Sequence, residues 1–450
     1  MIENQQGKEL TARQKDILNL LGKGLTNQEI CRALDISANT VKVHLANIYK
    51  ILEVTNRTEA VSIFSSDAPE EERTAAENVK LLFEKNDDVE KSDNGSFFYH
   101  TLVNNINQFE LLDIQMCSRE LAQKSSHFWV ECSFSSGPHP NLFLTLHHRN
   151  VSEILWSYSL SFAPGENLNL EVSRVSITLV RKIEKASAQL FKRGKFVEPG
   201  WWYESCFYRE SCVTRVKDEY HKAMGAVKKI TAKESTPIYT SFVMANLLYT
   251  ACLEHWILIE DCVGELKRLG AGVIRENFDS QYAMYINALV SILSCDNERA
   301  VHYLKMVLEK NPLNVGARKL LAQMYVLIGN EIAGFRELEI YQDVYPNSSQ
   351  EPFALAMKAL MYFLSRKFGE CIELCKEILF IMPDTPLPRL ILVSALGHTG
   401  QKEEAKKQSE IFWKFHRDFK LKNLDNLLNN IHADKYRLMM DGLALAGFKD

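Results

Sequence analysis

Apolar positions from Leu10 to Phe64 recur at helical spacing, and one local chemistry interrupts them four times. Thr11 with Gln14, Thr26 with Glu29, Ser37 with Thr40 and Asn56 with Glu59 each set a side-chain oxygen three residues ahead of a polar partner. The first member accepts a bond from an orphan backbone N–H, and Gln or Glu at the second returns it. Four short helices are predicted. In the third, Val41, Leu45, Ile48 and Leu52 fall within about 60° on a wheel of 100° per residue and form the buried stripe. The opposite face holds Asn39, Lys42, Val43, Ala46, Asn47 and Lys50, with no acid among them. Small, amide and basic groups on one helix face suit the major groove of DNA.

The pattern then changes twice. Ser65 to Gly95 carries ten acidic residues against four basic ones. It reads as a linker, helical in part over Glu70–Lys85 with Val79, Leu82 and Phe83 on one side. From Phe97 to about Gly194 come runs rich in β-branched and aromatic residues: Phe109–Gln115, Phe128–Phe134, Leu142–His148 and Ile154–Phe162. Gly137-Pro138 and the polar residues around Asn150 supply turns, so three consecutive antiparallel strands are predicted. An amphipathic helix follows near Leu170–Phe191. After Pro199 almost everything reads as helices, and a period emerges. Pro312, Pro346 and Pro383 are 34 and 37 residues apart, and the small residues Ala300, Gly334, Cys371 and Ala405 are 34, 37 and 34 apart. Ala288, Ala322 and Ala359 stand twelve residues before the first three of these, with Tyr325 and Tyr362 three residues after the last two. Small residues let two helices of a hairpin approach, and proline ends the second helix, so stacked helix pairs are predicted. Degenerate pairs are expected over Trp201–Glu276, and a closing helix, Tyr436–Phe448, over the last exposed face.

Composition sharpens this picture. A chain of 450 residues holds several domains, and 46% hydrophobic residues exclude wholesale disorder. The net charge of −4 excludes a uniformly basic coat, so any DNA contact is local. Residues 8 to 64 carry eight Lys/Arg and six Asp/Glu. One copy of that segment would make few phosphate contacts, and dimerisation is expected. Ten cysteines without a CxxC pair point to a reducing, cytoplasmic compartment. The most apolar long window, Ser241 to Val263, is broken by Asn246, Glu254, His255 and Glu260, so no membrane partner is expected.

Leu10-Thr11, Arg13, Ile17-Leu18, Gly24, Thr26-Asn27, Glu29-Ile30, Leu34, Ile36-Ser37, Thr40-Val41-Lys42, His44, Asn47-Ile48-Tyr49, Leu52, Val54, Arg57 and Ala60-Val61 together resemble the LuxR-type helix-turn-helix. Gln14, Cys31, Ile51 and Glu53 depart from the family's usual glutamate, alanine, lysine and glycine. The resemblance implies base reading by Lys42, Val43 and Ala46 and phosphate contacts by Thr40, Asn47 and Lys50. Thr26, Asn27, Asn39, His44 and Arg57 complete the implied DNA-binding set, and the helix Arg57–Phe64 would make dimer contacts. The middle segment, through Leu155-Trp156-Ser157, is similar to the TolB-like domain, in which Trp156 would be a core residue. Residues 281 to 419 resemble tetratricopeptide repeats, with Met284, Arg318 and Leu355 in place of the consensus tryptophan.

The expected fold is therefore multidomain and mainly α: a four-helix LuxR-type unit over 1–66, an acidic linker over 67–95, an α/β TolB-like domain over 96–195 and a tetratricopeptide-like α-solenoid over 196–450. A search for catalytic chemistry finds no Walker A loop, GxSxG, HExxH or Gly-rich dinucleotide motif, so no enzyme and no cofactor are expected. Cys371 with Cys375 reads as packing rather than metal ligation, and Cys206 with Cys212 likewise. His147-His148 on a strand points to opposite faces. Trp201-Trp202-Tyr203 with Phe207-Tyr208 reads as a plug between domains. Only Met1 to Gly7 precede the DNA-binding unit, too few for a receiver domain, so control is expected from the C-terminal side. The expected function is a bacterial, cytoplasmic, nucleoid-associated transcription regulator, homodimeric on double-stranded DNA, with a protein or peptide partner on the repeat surface. The rival reading is a repeat adaptor carrying a helix-turn-helix of little DNA affinity.

Overall fold

The computed structural model describes residues 11–22, 30–31, 34, 36–52, 79–116, 126–135, 141–162, 167–210, 217–231, 237–253, 256–277, 279–345, 352–417, 419–421 and 433–449. It is mainly helical, with one five-stranded sheet among the described residues. Helices α1 (Ala12–Gly22) and α2 (Ala38–Leu52) enclose a small core of Ile17, Leu18, Leu20, Ile30, Val41, Leu45 and Ile48.

The sheet runs β2-β1-β3-β4-β5, from β1 (Lys80–Lys85), β2 (Asp113–Met116), β3 (Phe128–Ser135), β4 (Asn141–His148) and β5 (Val151–Ser161). β1 lies parallel between β2 and β3, and β3, β4 and β5 form the expected antiparallel succession. Helices α3 (Asp87–Lys91) and α4 (Asp93–Asn107) link β1 to β2, and α5 (Leu168–Lys192) follows β5. Gly137-Pro138 lies outside the described residues.

Two segments differ from the sequence reading. Lys80–Lys85 is a strand inside the sheet, not the end of a helix over Glu70–Lys85. Val79, Leu81, Leu82 and Phe83 are all buried, which is the uninterrupted apolar run of a strand covered on both faces. Of the ten acidic residues that suggested a linker, five lie outside the described residues and four serve helix starts. Asp87, Asp88 and Glu90 lie in the first turn of α3 and Asp93 in that of α4, where the helix dipole favours negative charge. Asn86 and Ser92 accept the first backbone N–H bonds. Phe109–Gln115 becomes a strand only from Asp113, because Glu110 turns the chain at φ 54°.

Helices α6 (Gly200–Arg209), α7 (Lys217–Thr231), α8 (Ile238–Leu253) and α9 (Ile259–Glu276) lead into eight more of alternating 13 and 14 residues. These are α10 (Gln281–Leu293), α11 (Asn297–Lys310), α12 (Val315–Leu327), α13 (Glu331–Val344), α14 (Pro352–Leu364), α15 (Phe368–Ile381), α16 (Pro386–His398) and α17 (Lys402–Phe415). First helices of the four pairs begin at Gln281, Val315, Pro352 and Pro386 and second helices at Asn297, Glu331, Phe368 and Lys402, in step with the small residues. Those residues, Ala300, Gly334, Cys371 and Ala405, are buried. A Cβ on Gly334 would lie 2.6 Å from the Val326 side chain and 3.0 Å from the Ala322 carbonyl, so the close approach excludes any side chain there. Arg318 and Arg389, at equivalent places in the second and fourth pairs, act alike. Arg318 donates to the Pro312 carbonyl (2.8 Å) and pairs with Glu337 (2.6 Å), and Arg389 donates to the Pro383 carbonyl and to Gln408 (2.5 Å).

Each pair turns at one left-handed residue: Cys295 (φ 59°), Gly329 (φ 85°), Arg366 (φ 58°) and Gly400 (φ 73°). The following N–H reaches back to close the turn, as from Asn330 to Tyr325 (2.7 Å) and from Lys367 to Tyr362 (2.8 Å). Arginine carries a Cβ clash there that glycine lacks. Arg366→Gly is expected to raise stability by about 0.5–1 kcal/mol, net of glycine's entropy, as read by urea denaturation. An unchanged or lower midpoint would mean that the arginine side chain stabilises by contacts exceeding its strain.

Helix α18 (Ala433–Leu445) lies against α16. Ser394 Oγ donates to the Met439 carbonyl (2.9 Å), and His398 Nε2 bonds the Leu438 carbonyl (2.8 Å). The α/β unit joins the end of the repeats where second helices finish and first helices begin. Glu110 accepts from Ser280 Oγ (2.9 Å) and the Gln281 N–H (3.3 Å), Tyr282 donates to the Phe109 carbonyl (2.5 Å), and Arg174 Nε donates to the Asp343 carbonyl (2.7 Å).

The aromatic segment before α7 plugs this joint. Trp202 Nε1 donates to Ser187 Oγ on α5 (2.8 Å) and its ring meets Tyr239 of α8 at 4.5 Å. His148 Nε2 bonds the Tyr203 hydroxyl (2.9 Å) while its Nδ1 accepts from the Asn150 N–H (3.2 Å), so a second proton has no acceptor. Burial chiefly, with the charges of His127 and Arg149, lowers its pKa from 6.5 to about 4. Below pH 6.5 the unfolded chain binds this proton and the folded chain does not, so stability present above pH 6.5 is lost as pH falls toward 4. His148→Gln should reduce the stability difference between about pH 7.5 and pH 5.5 by roughly 1 kcal/mol, measured by denaturant midpoints at both.

Candidate nucleic-acid interface

The sequence around Ser37 builds the start of α2. Ser37 Oγ accepts the Thr40 N–H (3.1 Å) and lies 2.7 Å from Thr40 Oγ1, while the Ser37 carbonyl accepts from Val41 N (3.0 Å). The cap is a hydroxyl pair, with no returning glutamate. At α1 the full reciprocal box forms: the Thr11 N–H donates to Gln14 Oε1 (2.8 Å) and the Gln14 N–H to Thr11 Oγ1 (3.3 Å). Gln14 is buried, so the inner member of this box is an uncharged amide.

The stripe and its opposite face separate as the wheel predicts. Val41, Leu45 and Ile48 are buried, whereas Asn39, Lys42, Val43, Ala46, Asn47 and Lys50 are exposed. Val43, a β-branched apolar side chain, is 52% exposed on a surface helix. Thr40 and His44 are half-buried at the margin of this face, and the Thr40 hydroxyl is already engaged by Ser37. Thr26, Asn27 and Arg57, the pairs Thr26 with Glu29 and Asn56 with Glu59, and the helix Arg57–Phe64 lie outside the described residues. So does the side chain of Leu52.

Sequence reading did not single out Arg13 for a role. Its guanidinium donates to the Leu34 carbonyl (2.5 Å) and lies 3.9 Å from Asp16. It thereby ties α1 to Leu34, four residues before the start of α2. An arginine three residues before an acid is too common a surface pattern to have revealed this.

The other candidates are packing residues. Cys371 and Cys375 Sγ lie 4.0 Å apart and fully buried. Among the described residues no group of three His, Cys, Asp or Glu is placed to hold a metal. Cys206 is buried beside Tyr239, and Cys212 lies outside the described residues. His147 stacks on Trp129 (5.0 Å) while His148 faces Phe128 and Tyr203, so the two do point apart. Trp156 is partly buried and stacked on Tyr158. No helix among the described residues is long and apolar enough to cross a membrane.

Residues 8–64 match the family described as bacterial regulatory proteins, luxR family. The segment is thus a LuxR-type helix-turn-helix. It is 52% identical over 58 residues to a putative HTH-type transcriptional regulator of Escherichia coli, YhjB, a stretch covering 13% of this chain and 29% of that protein. It is 58% identical over 53 residues to the CsgBAC operon transcriptional regulatory protein of Escherichia coli, covering 12% and 24%. Against the response regulator VraR of Staphylococcus aureus it is 52% identical over 52 residues, covering 12% and 25%. The chain spans less than a third of the length of these relatives.

Proposed function

We propose that this chain is a DNA-binding transcription regulator. The observation that carries the reading is the exposed, acid-free face of α2 opposite the buried Val41, Leu45 and Ile48, in a segment that matches the LuxR family. Lys42, Val43 and Ala46 read base edges in the major groove, with Lys42 donating to guanine and Val43 meeting a thymine methyl. Asn47 and Lys50 hold phosphates, with Asn39, Thr40 and His44 at the margin and Thr26, Asn27 and Arg57 completing the set. The weak net charge of one unit calls for two copies on an inverted repeat.

The α/β and repeat regions form the controlling half, in the cytoplasm, where stacked helix pairs offer a surface for a protein partner. The recurring pairs, with their shared small-residue and left-handed slots, support the tetratricopeptide-like reading. The antiparallel β3-β4-β5 succession accords with the TolB-like one. Selection of bound fragments from random DNA at fixed, near-physiological salt, with the full chain beside residues 1–66, tests the whole. An enriched inverted repeat is the expected result. No enrichment with either protein would sink this reading and favour the repeat adaptor.

A further inference from the structure

The C-terminal half of α5 has a single acid, Glu184, and turns it inward. Glu184 is buried, where it accepts from Arg209 of α6 and from the Tyr239 hydroxyl of α8 (3.1 Å) and pairs with Arg181 (3.3 Å). The exposed residues from Lys182 to Lys195 are four lysines, one arginine, one glutamine and one glycine. Lys182, Lys185, Lys192 and Arg193 fall within about 100° on the helical wheel, along roughly 15 Å of α5. Gly194 turns the chain at φ 64°, and the Lys195 N–H returns to the Leu190 carbonyl (2.9 Å), so Lys195 stays beside the last turn. The helix dipole accounts for cations in that turn, but Lys182 and Lys185 stand about three and two turns upstream of Lys192. Among the described residues no acid pairs with any of the four lysines. Arg193 lies 3.3 Å from Glu153, with both side chains more than half exposed, a pairing that contributes little. Asn150 Nδ2 donates to the Phe196 carbonyl (3.4 Å), which sets the exposed Arg149 of the β4–β5 turn near the same end. The exposed Glu198 nearby accepts the Gly200 N–H (2.8 Å).

We propose that this stripe holds the phosphate backbone of the duplex flanking the bases that α2 reads. The inference rests on the regulator reading and deepens it by giving the α/β unit a share of the DNA. Charge complementarity selects the partner: along roughly 15 Å a straight helix meets about four phosphates of one strand, and no exposed acid on this stretch of α5 opposes them. A lipid surface fits less well, because no large apolar side chain is exposed along α5 for an interfacial helix to bury. The need is set by the N-terminal unit, whose small net charge makes few phosphate contacts of its own. A second contact on the same chain then acts at high effective concentration once α2 is seated.

Fluorescence anisotropy of the full chain tests this, with an operator-length duplex, one extended on both sides, and scrambled versions of each, over a salt series. Lys182→Gln, Lys185→Gln and Lys192→Gln together change exposed side chains, and circular dichroism checks that the fold is kept. This triple variant is expected to bind extended duplexes about tenfold or more weakly at near-physiological salt and to lower the slope of log K against log salt by about 2–3. Operator and scrambled duplexes should lose alike, so the preference between them stays that of the wild type. Replacing the same three lysines by arginine should keep the wild-type slope. A glutamine variant with wild-type affinity and slope would overturn the proposal. So would one that keeps wild-type DNA binding but loses binding to anionic phospholipid vesicles, which would assign the stripe to a membrane surface. A wild-type chain without preference for operator over scrambled duplex would refute the regulator reading, and a lowered slope in the glutamine variant would still establish the phosphate contact.

Discussion

Gly397→Ala is expected to destabilise the chain by about 2–3 kcal/mol and to loosen α18 from the repeats. The sign is informative because intrinsic propensity runs the other way: alanine in a helix interior is favoured over glycine by about 1 kcal/mol. Here the added methyl meets backbone. It would fall inside van der Waals contact of the Gly442 carbonyl oxygen and 3.0 Å from the Ala446 nitrogen, neither of which is a flexible side chain that can swing away. The partner glycine is equally constrained, since a Cβ on Gly442 would lie 2.5 Å from the Ser394 carbonyl and 2.7 Å from the His398 ring. The two glycines let α16 and α18 touch backbone to backbone, and the Ser394 and His398 bonds to the carbonyls of Met439 and Leu438 depend on that approach. Gly225→Ala and Gly264→Ala serve as controls, because a Cβ at either meets nothing within 4 Å. Both should stabilise by about 0.5–1 kcal/mol. Urea denaturation gives the midpoints, and limited proteolysis reports release of the C-terminal helix. A Gly397→Ala midpoint at or above wild type would show that α18 is held by something other than this contact.

How far such features were legible in the sequence depends on whether their cause is local. The capping pairs at Thr11 and Ser37, the α2 stripe through Ile48 and the recurring small residues of the helix pairs repeat a chemical pattern along the chain, and the structure places helices where those patterns fall. β1 was hidden because its segment is both acidic and helix-compatible. What makes Lys80–Lys85 a strand is burial between β2 and β3, whose partner residues, from Asp113 and from Phe128 onward, are remote in sequence. The turn at Glu110 was hidden for a related reason. Its φ of 54° is held by a carboxylate that caps α10, and nothing near residue 110 announces that helix. Gly397 and Gly442 read as ordinary helical glycines until the crossing brings them together. The α2 surface was readable in advance because exposure on an amphipathic helix follows directly from the positions of Val41, Leu45 and Ile48. Arg13 was not, since its partner, the Leu34 carbonyl, stands 21 residues further along the chain.

Lys42→Ala is expected to weaken binding to the selected operator by about 1–3 kcal/mol, or roughly 5- to 150-fold, and to relax base preference at one position of each half-site. The argument starts from exposure. Lys42 lies on the solvent face of α2, one position after the buried Val41, and no hydrogen bond or ion pair to another side chain holds its ammonium back from a ligand among the described residues. An ammonium at a guanine edge supplies base-specific bonds, whereas the same charge at a phosphate supplies only salt-sensitive attraction. Lys50, two turns further along the helix, provides the comparison. Lys50→Ala should lower affinity almost equally for operator and random DNA and reduce the slope of log K against log salt by about 1. Arg13→Met separates presentation from contact: it removes the bond to the Leu34 carbonyl without altering the exposed face of α2, so specific binding should fall while the salt slope stays that of the wild type. Fluorescence anisotropy with operator and scrambled duplexes at several salt concentrations reads all three. If Lys42→Ala instead weakened both duplexes equally, Lys42 would be a phosphate contact and base reading would pass to Val43 and Ala46. If it changed neither, α2 would not be the surface that meets DNA.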